Sequence, residues 1–351
     1  MAYRLNRKIS DLEPYDPISG NYRIRLDANE SFLPLPEEVR QNLAQDIASM
    51  PFNRYPDPCC TKLCKAFAGY YSIDPQLVTA GNGSDELISL IMTAFLMKGE
   101  KVITVKPDFS MYQFYASISE APCVVVDKEE DLSISVDQLI AACRNENAKM
   151  IIFSNPCNPT SLGLAADEVR RLIRCVNALV VLDEAYMDFW DQSLLGEVEQ
   201  YDNLIILRTS SKAVGGAAIR LGFAVANPVI TRALRAVKSP YNVNSFTQQA
   251  GIQLFSHKEA LQKACGELIS AREKLYQGIS ELEQKFPSRL HVYPTCTNFV
   301  FLRMDQAKEA FDFFLEQGVA IRFMGQYLRI TAGSPEENQE ALRLLREFMN
   351  R

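Results

Sequence analysis

The chain has 351 residues, 47% of them hydrophobic and 23% charged, with a net charge of −6. This is the composition of an ordinary globular protein, and at roughly 150 residues per domain its length predicts about two domains, one large and one small. An acidic balance without a local basic patch argues against nucleic acid and for small-molecule partners, and no stretch approaches the ~20 apolar residues that span a bilayer.

The opening MAYRLNRKIS is basic but runs into DLEPYDP instead of an apolar segment, so a cytoplasmic protein is expected. Nine cysteines with no C-x-x-C pair fit reduced thiols better than a disulfide framework, and Cys123 and Cys175, beside apolar residues, read as core. The two histidines, His257 and His291, stand far from any cysteine or carboxylate cluster at ligand spacing. Neither a metal site nor a histidine-based triad is expected.

In chain order, the runs LVTA (77–80), KVITV (101–105), CVVV (123–126), KMIIF (149–153), ALVVL (178–182), NLIIL (203–207) and GFAVA (222–226) alternate with amphipathic helical patterns. Seven such runs predict an α/β fold with a mainly parallel sheet sandwiched by helices, in which ligands bind beyond the carboxyl ends of the strands. Beyond residue 227 long helical stretches (228–286) give way to the short runs HVYP, NFVFL and YLRIT. SPEENQEALRLLREFM (334–349) then opens on a capping box, Ser334 to Glu337, with Pro335 at the first helical position. The expected layout is an N-terminal arm and the start of the small domain (1–35), a large α/β domain (36–240), and a connecting helix with a smaller α+β C-terminal domain (241–351).

Four stretches carry candidate chemistry. GNGSDELISLIMTAF (81–95) places Gly83, Ser84 and Asp85 at a helix start, where free N–H groups and the helix dipole favour an anion such as phosphate. Read alone, it is more simply a strand–turn–helix with ordinary capping. NPCNPTSLG (155–163) is a rigid turn whose Asn158 amide is functional only if it points inward, which spacing does not decide. VVLDEAYMDF (180–189) ends an apolar strand on Asp183 and Glu184; such a carboxylate needs a cationic or hydrogen-bonding partner unless the strand end is solvated, an equal alternative. RTSSKAVGGAAIRLGF (208–223) surrounds Lys212 with small residues and places the cations Arg208 and Arg220 nearby, a setting that suits a neutral, nucleophilic amine, while a surface lysine in a flexible loop is the commoner fate of such a residue.

Together the four supply what one cofactor requires: an amine for an aldehyde, an anion for a ring nitrogen, and donors for a phenolate and a phosphate. That cofactor is pyridoxal phosphate, whose ring is an electron sink when its nitrogen stays protonated. Lys212 is then uncrowded because cofactor and substrate must both reach it.

The ordered set LDANES, NRYPD, GNGSDEL, KPDFSMY, NPCNPT, DEAYMDF, RTSSKAVGGAAIRLGF and YLRITAGS resembles, from end to end, the aspartate-aminotransferase superfamily of pyridoxal-phosphate enzymes, and within it the histidinol-phosphate aminotransferases. The resemblance implies the aminotransferase fold and a homodimer with shared active sites. In it Lys212 would bond the cofactor aldehyde and carry the proton between substrate Cα and cofactor C4′, and Asp183 would pair with the ring nitrogen. Asn158 and Tyr186 would hydrogen-bond O3′, and Phe109, from the pattern P-x-[FY]-x-x-Y, would stack on the ring. The phosphate would be held around Gly83, Ser84 and Asp85, by Thr209, Ser211 and Arg220, and by Tyr55 of the second subunit. Arg329 and Arg322 would take the acidic end of the substrate, with Asn29 and Tyr15 close by.

Three departures from the family pattern lie at the rim of the site: LDANES continues as FLPLPEE, Ser161 stands where a glycine is usual, and the segment from Arg322 to Arg329 is short. The reaction implied is amino transfer between a small primary amine and a 2-oxo acid, with histidinol phosphate and 2-oxoglutarate preferred. Rivals are an aromatic or broad-range aminotransferase, a phospho-amino-acid decarboxylase, and a non-catalytic binding protein on the same fold.

Overall fold

The seven apolar runs form one sheet in the computed structural model, which describes residues 3–10, 12–14 and 18–351. With the short strand Ile24–Arg25 as β1, they are β2 (Val78–Gly81), β3 (Val102–Lys106), β4 (Cys123–Asp127), β5 (Met150–Ser154), β6 (Leu179–Asp183), β7 (Leu204–Thr209) and β8 (Gly222–Ala226). Their order is β2-β8-β7-β6-β5-β3-β4. Strands β4, β3, β5, β6 and β7 pair in parallel, whereas β8 is antiparallel to both of its neighbours. The reversal arises because the 210–221 segment, which carries Lys212, turns back along the sheet instead of packing a crossover helix.

Both faces of the sheet are covered. Ile151 and Phe153 point into one core with Val180, Leu182 and Ile206, while Ile152 points into the other with Val181, Ile205 and Leu207. This is the period-two alternation of a strand buried on both sides, which is why the runs are almost wholly apolar, with Thr79 and Thr104 as buried interior exceptions. They end on chemistry: Ser154, Asp183 and Thr209 close β5, β6 and β7 along one edge.

A second sheet is built from β9 (Leu290–Val292), β10 (Phe299–Met304), β12 (Arg322–Met324) and β13 (Tyr327–Thr331), antiparallel in the order β12-β13-β10-β9. Strand β11 (Val319–Ala320) pairs in parallel with β1, so the N-terminal segment is stitched to this part of the molecule. The helix Pro335–Met349 covers its core and begins with the expected capping box on Ser334 and Glu337. The helix Lys258–Lys285 joins the two cores: Leu261 packs into the large one, and Leu275, Ile279 and Leu282 into the small one. At 1.5 Å per residue this helix is about 42 Å long.

All nine cysteines are free thiols. Cys175 is exposed, contrary to the core reading, because Val169, Leu172 and Ile173 form the buried stripe of its helix and position 175 falls off it. Among the described residues no helix is long and apolar enough to cross a membrane, and no group of three or more His, Cys, Asp or Glu could hold a metal ion.

Candidate active site

Two adjoining cavities, of about 250 and 440 Å³, lie over the carboxyl ends of the strands and share Phe109, Asn158, Tyr186 and Lys212 in their walls. The smaller is closed on one side by the start of the helix Ser84–Phe95. Gly83 precedes that helix at φ 86°, the left-handed region that glycine reaches without strain. A Cβ on Gly222 would fall 2.5 Å from the backbone of Gly83 and Ser84, so the start of β8 and the helix start can approach this closely only through a glycine. Thr209 and Ser211 face the same corner, their hydroxyls 3.0 Å apart, and Arg220 sits beside Asp85 at 3.3 Å. One cation, two hydroxyls and a helix N-terminus thus converge at one end of the cavity.

Lys212 stands at its floor, partly exposed, with Nζ donating to the Ala28 carbonyl at 3.0 Å. Desolvation is the main cause, with the charges of Arg329 and Arg220 adding to it, that brings its pKa down to about 8. Arg208 is not part of this effect, in contrast to the sequence expectation. It is buried and bonded to Glu184 at 2.9 Å and Asp188 at 3.0 Å, with its guanidinium 4.9 Å from the centre of the Tyr71 ring. Two carboxylates offset its charge, so the cations that act on Lys212 are Arg329 of the small sheet and Arg220.

Across the cavity, Asp183 is buried at the end of β6. Its carboxylate accepts hydrogen bonds from the Tyr112 hydroxyl at 2.8 Å and the Ala185 amide at 3.1 Å. Burial pushes its pKa up to about 7, against the two hydrogen bonds and with further repulsion from Asp108 and Asp85. Glu184, also buried, points the other way, to Arg208 and the Ser193 hydroxyl.

The larger cavity opens from Lys212 toward the small sheet. Arg322 and Arg329 face each other across β12 and β13 and both line it. Arg329 donates to the Asn158 side-chain oxygen at 2.5 Å and to the Asp27 carbonyl at 2.6 Å. The Asn158 amide therefore points inward, held by Arg329 and by its own backbone N–H on the Ser154 hydroxyl at 3.1 Å. Asn29 is held by Thr331 of β13 and donates to the Tyr186 hydroxyl at 2.8 Å.

The structure thus gathers Ser84, Asp85, Phe109, Asn158, Asp183, Tyr186, Thr209, Ser211, Lys212 and Arg220 around one cavity, with Gly83 just behind, and Asn29, Arg322 and Arg329 around the next. Tyr55 stands apart, 81% exposed and stacked on Tyr241 at 4.5 Å. Tyr15 lies outside the described residues. The sequence reading assigned no role to Tyr112, although the signal was present as the last residue of P-x-[FY]-x-x-Y. It also passed over Asp108, which accepts from the Phe109 and Ser154 amides and ties the end of β3 to that of β5.

Residues 23–345 match the family model for aminotransferase class I and II. The chain is 39% identical to the histidinol-phosphate aminotransferase of Clostridium novyi over 352 residues, covering 99% of this chain and 98% of that one. Its backbone matches the crystal structure of histidinol-phosphate aminotransferase from Sinorhizobium meliloti in complex with pyridoxal-5'-phosphate, with a TM-score of 0.88, 22% identity and 99% of each chain covered. It also matches L-threonine-O-3-phosphate decarboxylase from Porphyromonas gingivalis, with a TM-score of 0.80 and 22% identity over 93% of this chain and all of that one. The two structural likenesses concern the fold, which carries more than one chemistry. The match to the family model over nearly all of its length and the identity to its curated relative place this chain in the aminotransferase class I and II family.

Proposed function

We propose that this protein is a pyridoxal-phosphate-dependent aminotransferase that moves an amino group between histidinol phosphate and 2-oxoglutarate. The observation that carries the reading is the pairing, across one cavity, of an amine of lowered pKa, Lys212, with a buried carboxylate, Asp183, that is hydrogen-bonded but has no cation bonded to it among the described residues. A buried carboxylate without a counter-charge is costly, and a protonated ring nitrogen would supply that charge. The helix start at Ser84, the cradle that only Gly222 permits, and Arg220 fit the phosphate.

When bound, pyridoxal phosphate supplies an electron sink for charge developing at the substrate Cα. The chain's own residues do the rest. Lys212, with a pKa near 8, is in part neutral at physiological pH, so its amine can bond a carbonyl carbon and, once released, take a proton from Cα. Asp183 would accept a hydrogen bond from the protonated ring nitrogen. Asn158 and Tyr186 would present donors to O3′, and Phe109 would cover the ring face. Arg329 and Arg322 grip the acidic end of the substrate through parallel hydrogen bonds, which suit phosphate and carboxylate alike. One pair of arginines can therefore serve both half-reactions: histidinol phosphate has no carboxylate, and its phosphate occupies the place of the 2-oxo acid's distal carboxylate.

Each site is completed by Tyr55 of a second subunit in a homodimer, which accounts for its exposure on its own chain. We place this reaction in the cytoplasm, a compartment that suits nine free cysteines. Borohydride reduction in the presence of pyridoxal phosphate is expected to fix the cofactor on the peptide containing Lys212; a label on another lysine would overturn the site. A donor screen with 2-oxoglutarate, read by glutamate formation, tests the substrate. Use of histidinol as readily as its phosphate, or faster turnover of phenylalanine and tyrosine, would replace the reading with an aromatic aminotransferase, and carbon dioxide release without any 2-oxo acid would replace it with a decarboxylase.

A further inference from the structure

We infer that Tyr112 is a positioning residue that holds Asp183 anionic and correctly turned toward the ring nitrogen of the cofactor. The inference rests on the reading of Asp183 as the partner of that nitrogen. The Tyr112 hydroxyl lies 2.8 Å from Asp183 Oδ2, while Oδ1 accepts from the Ala185 amide, so the carboxylate is held by one donor on each oxygen and cannot rotate without losing both. Tyr112 is itself fully buried, in the core cluster that includes Ile88, Ile91 and Ala116, and it borders the cavity that Asp183 lines. It comes from the first turn of the helix Met111–Ile118, three residues after Phe109, and the two rings meet edge to face with centroids 5.5 Å apart. One short segment therefore sets both the residue placed to stack on the cofactor ring and the anchor of its nitrogen partner. That gives the last position of P-x-[FY]-x-x-Y a chemical reason.

The electrostatics require such a donor. Burial opposes a charge on Asp183, and the other acidic groups acting on it, Asp108 from the end of β3 and Asp85 from the start of the helix Ser84–Phe95, oppose it further. The Tyr112 and Ala185 hydrogen bonds act in the opposite sense, because each favours the anion. Tyr112 remains a donor throughout: burial, and then the negative field of Asp183, hold its own ionisation well above the usual tyrosine range. Without the hydroxyl, the proton shared between carboxylate and ring nitrogen moves toward the carboxylate, and a neutral pyridine is a poorer electron sink.

The test uses Tyr112→Phe, which keeps the ring and its packing and removes only the donor. Wild-type, Tyr112→Phe and Asp183→Asn proteins are loaded with pyridoxal phosphate labelled with ¹⁵N in the ring, and the ring-nitrogen resonance and the cofactor dissociation constant are measured at one pH near 8. For Tyr112→Phe the resonance is expected to move from the pyridinium toward the pyridine position, with roughly tenfold weaker cofactor binding, as for loss of a hydrogen bond to a charged group. Asp183→Asn is expected to move the resonance further. If Tyr112→Phe lowers the melting temperature but leaves both readouts at wild-type values while Asp183→Asn changes them, Tyr112 is structural only and the inference fails on its own. If Asp183→Asn also leaves the resonance unchanged, the reading of Asp183 fails and this inference falls with it.

Discussion

At the scale of single residues, the site depends on groups whose charge is set by their surroundings. Arg329 binds Asn158 through one nitrogen and the Asp27 carbonyl through another, a planar fork that lysine cannot reproduce. Arg329→Lys is therefore expected to cost about 1.5–3 kcal/mol of transition-state binding in both half-reactions, read as kcat/KM for amine and for 2-oxo acid in single-turnover experiments. A loss confined to one half-reaction would show that the two acidic groups do not share a seat. Asp183 gives a pH signature in the cofactor-free protein. Its folded-state pKa, about 7, is raised above the unfolded value of roughly 3.9, so its contribution to stability is full below pH 4 and is lost as pH rises toward 7. Denaturant melts from pH 4 to 8 should show wild type losing stability relative to Asp183→Asn over that window; parallel curves would mean that the carboxyl titrates normally.

At the scale of elements, the proposed phosphate seat is a junction between the start of β8 and the helix Ser84–Phe95. A Cβ at Gly222 meets backbone atoms of Gly83 and Ser84, which cannot swing aside as the tip of a side chain would. Gly222→Ala is expected to destabilise the protein by about 1–3 kcal/mol through overpacking and to weaken cofactor binding by more than it lowers stability, since the shift falls on the amides that face the phosphate. Thermal melts and cofactor titration on the same protein check this; unchanged affinity would place the phosphate elsewhere. The ends of β6 and β7 are braced by a second device. Glu184 and Arg208, one residue beyond Asp183 and one before Thr209, form a buried ion pair on the far side from the cavity, with Asp188 as the second carboxylate. Neighbouring residues on these strand ends thus face opposite ways, one toward the ligand site and one toward the brace, as strand alternation requires.

At the scale of the whole molecule, neither sheet holds a complete site. The large sheet supplies Lys212, Asp183 and the proposed phosphate seat, the small sheet supplies Arg322 and Arg329, and the segment after β1 carries Asn29 between them. Tyr55, exposed on its own chain, belongs by our reading to a neighbour's site. Hybrid dimers formed from Tyr55→Phe and Lys212→Ala subunits would then contain one site with both Lys212 and Tyr55 intact. Mixing the two variants in equal amounts under conditions of subunit exchange is expected to restore activity toward about a quarter of the wild-type level, since half of the dimers are then hybrids with one intact site each; simple dilution of activity with exchange demonstrated would rule out sharing.

Much of this architecture is legible in the sequence, because strands buried on both faces leave largely apolar runs, and runs that end on Asp183 or Thr209 mark the edge where the candidate site lies. Composition and spacing alone do not separate a phosphate seat from an ordinary helix cap at Ser84; the resemblance of the ordered motifs implies the first. What the sequence could not decide were relations between distant segments. The two-residue strands β1 and β11 are too short to carry a pattern and exist only because they pair with each other. Arg208 and Arg220 look alike as cations near Lys212, but burial against Glu184 and Asp188 removes the first from its field, while Arg329, more than a hundred residues away, enters it. Tyr112 is one aromatic residue in an apolar helix until folding brings its hydroxyl to Asp183, 71 residues on. Local sequence determined the elements and which ends bear chemistry, because hydrophobic periodicity and turn residues act over a few positions. Tertiary structure alone decided which charges meet, because desolvation and hydrogen bonding depend on distance in space and not along the chain.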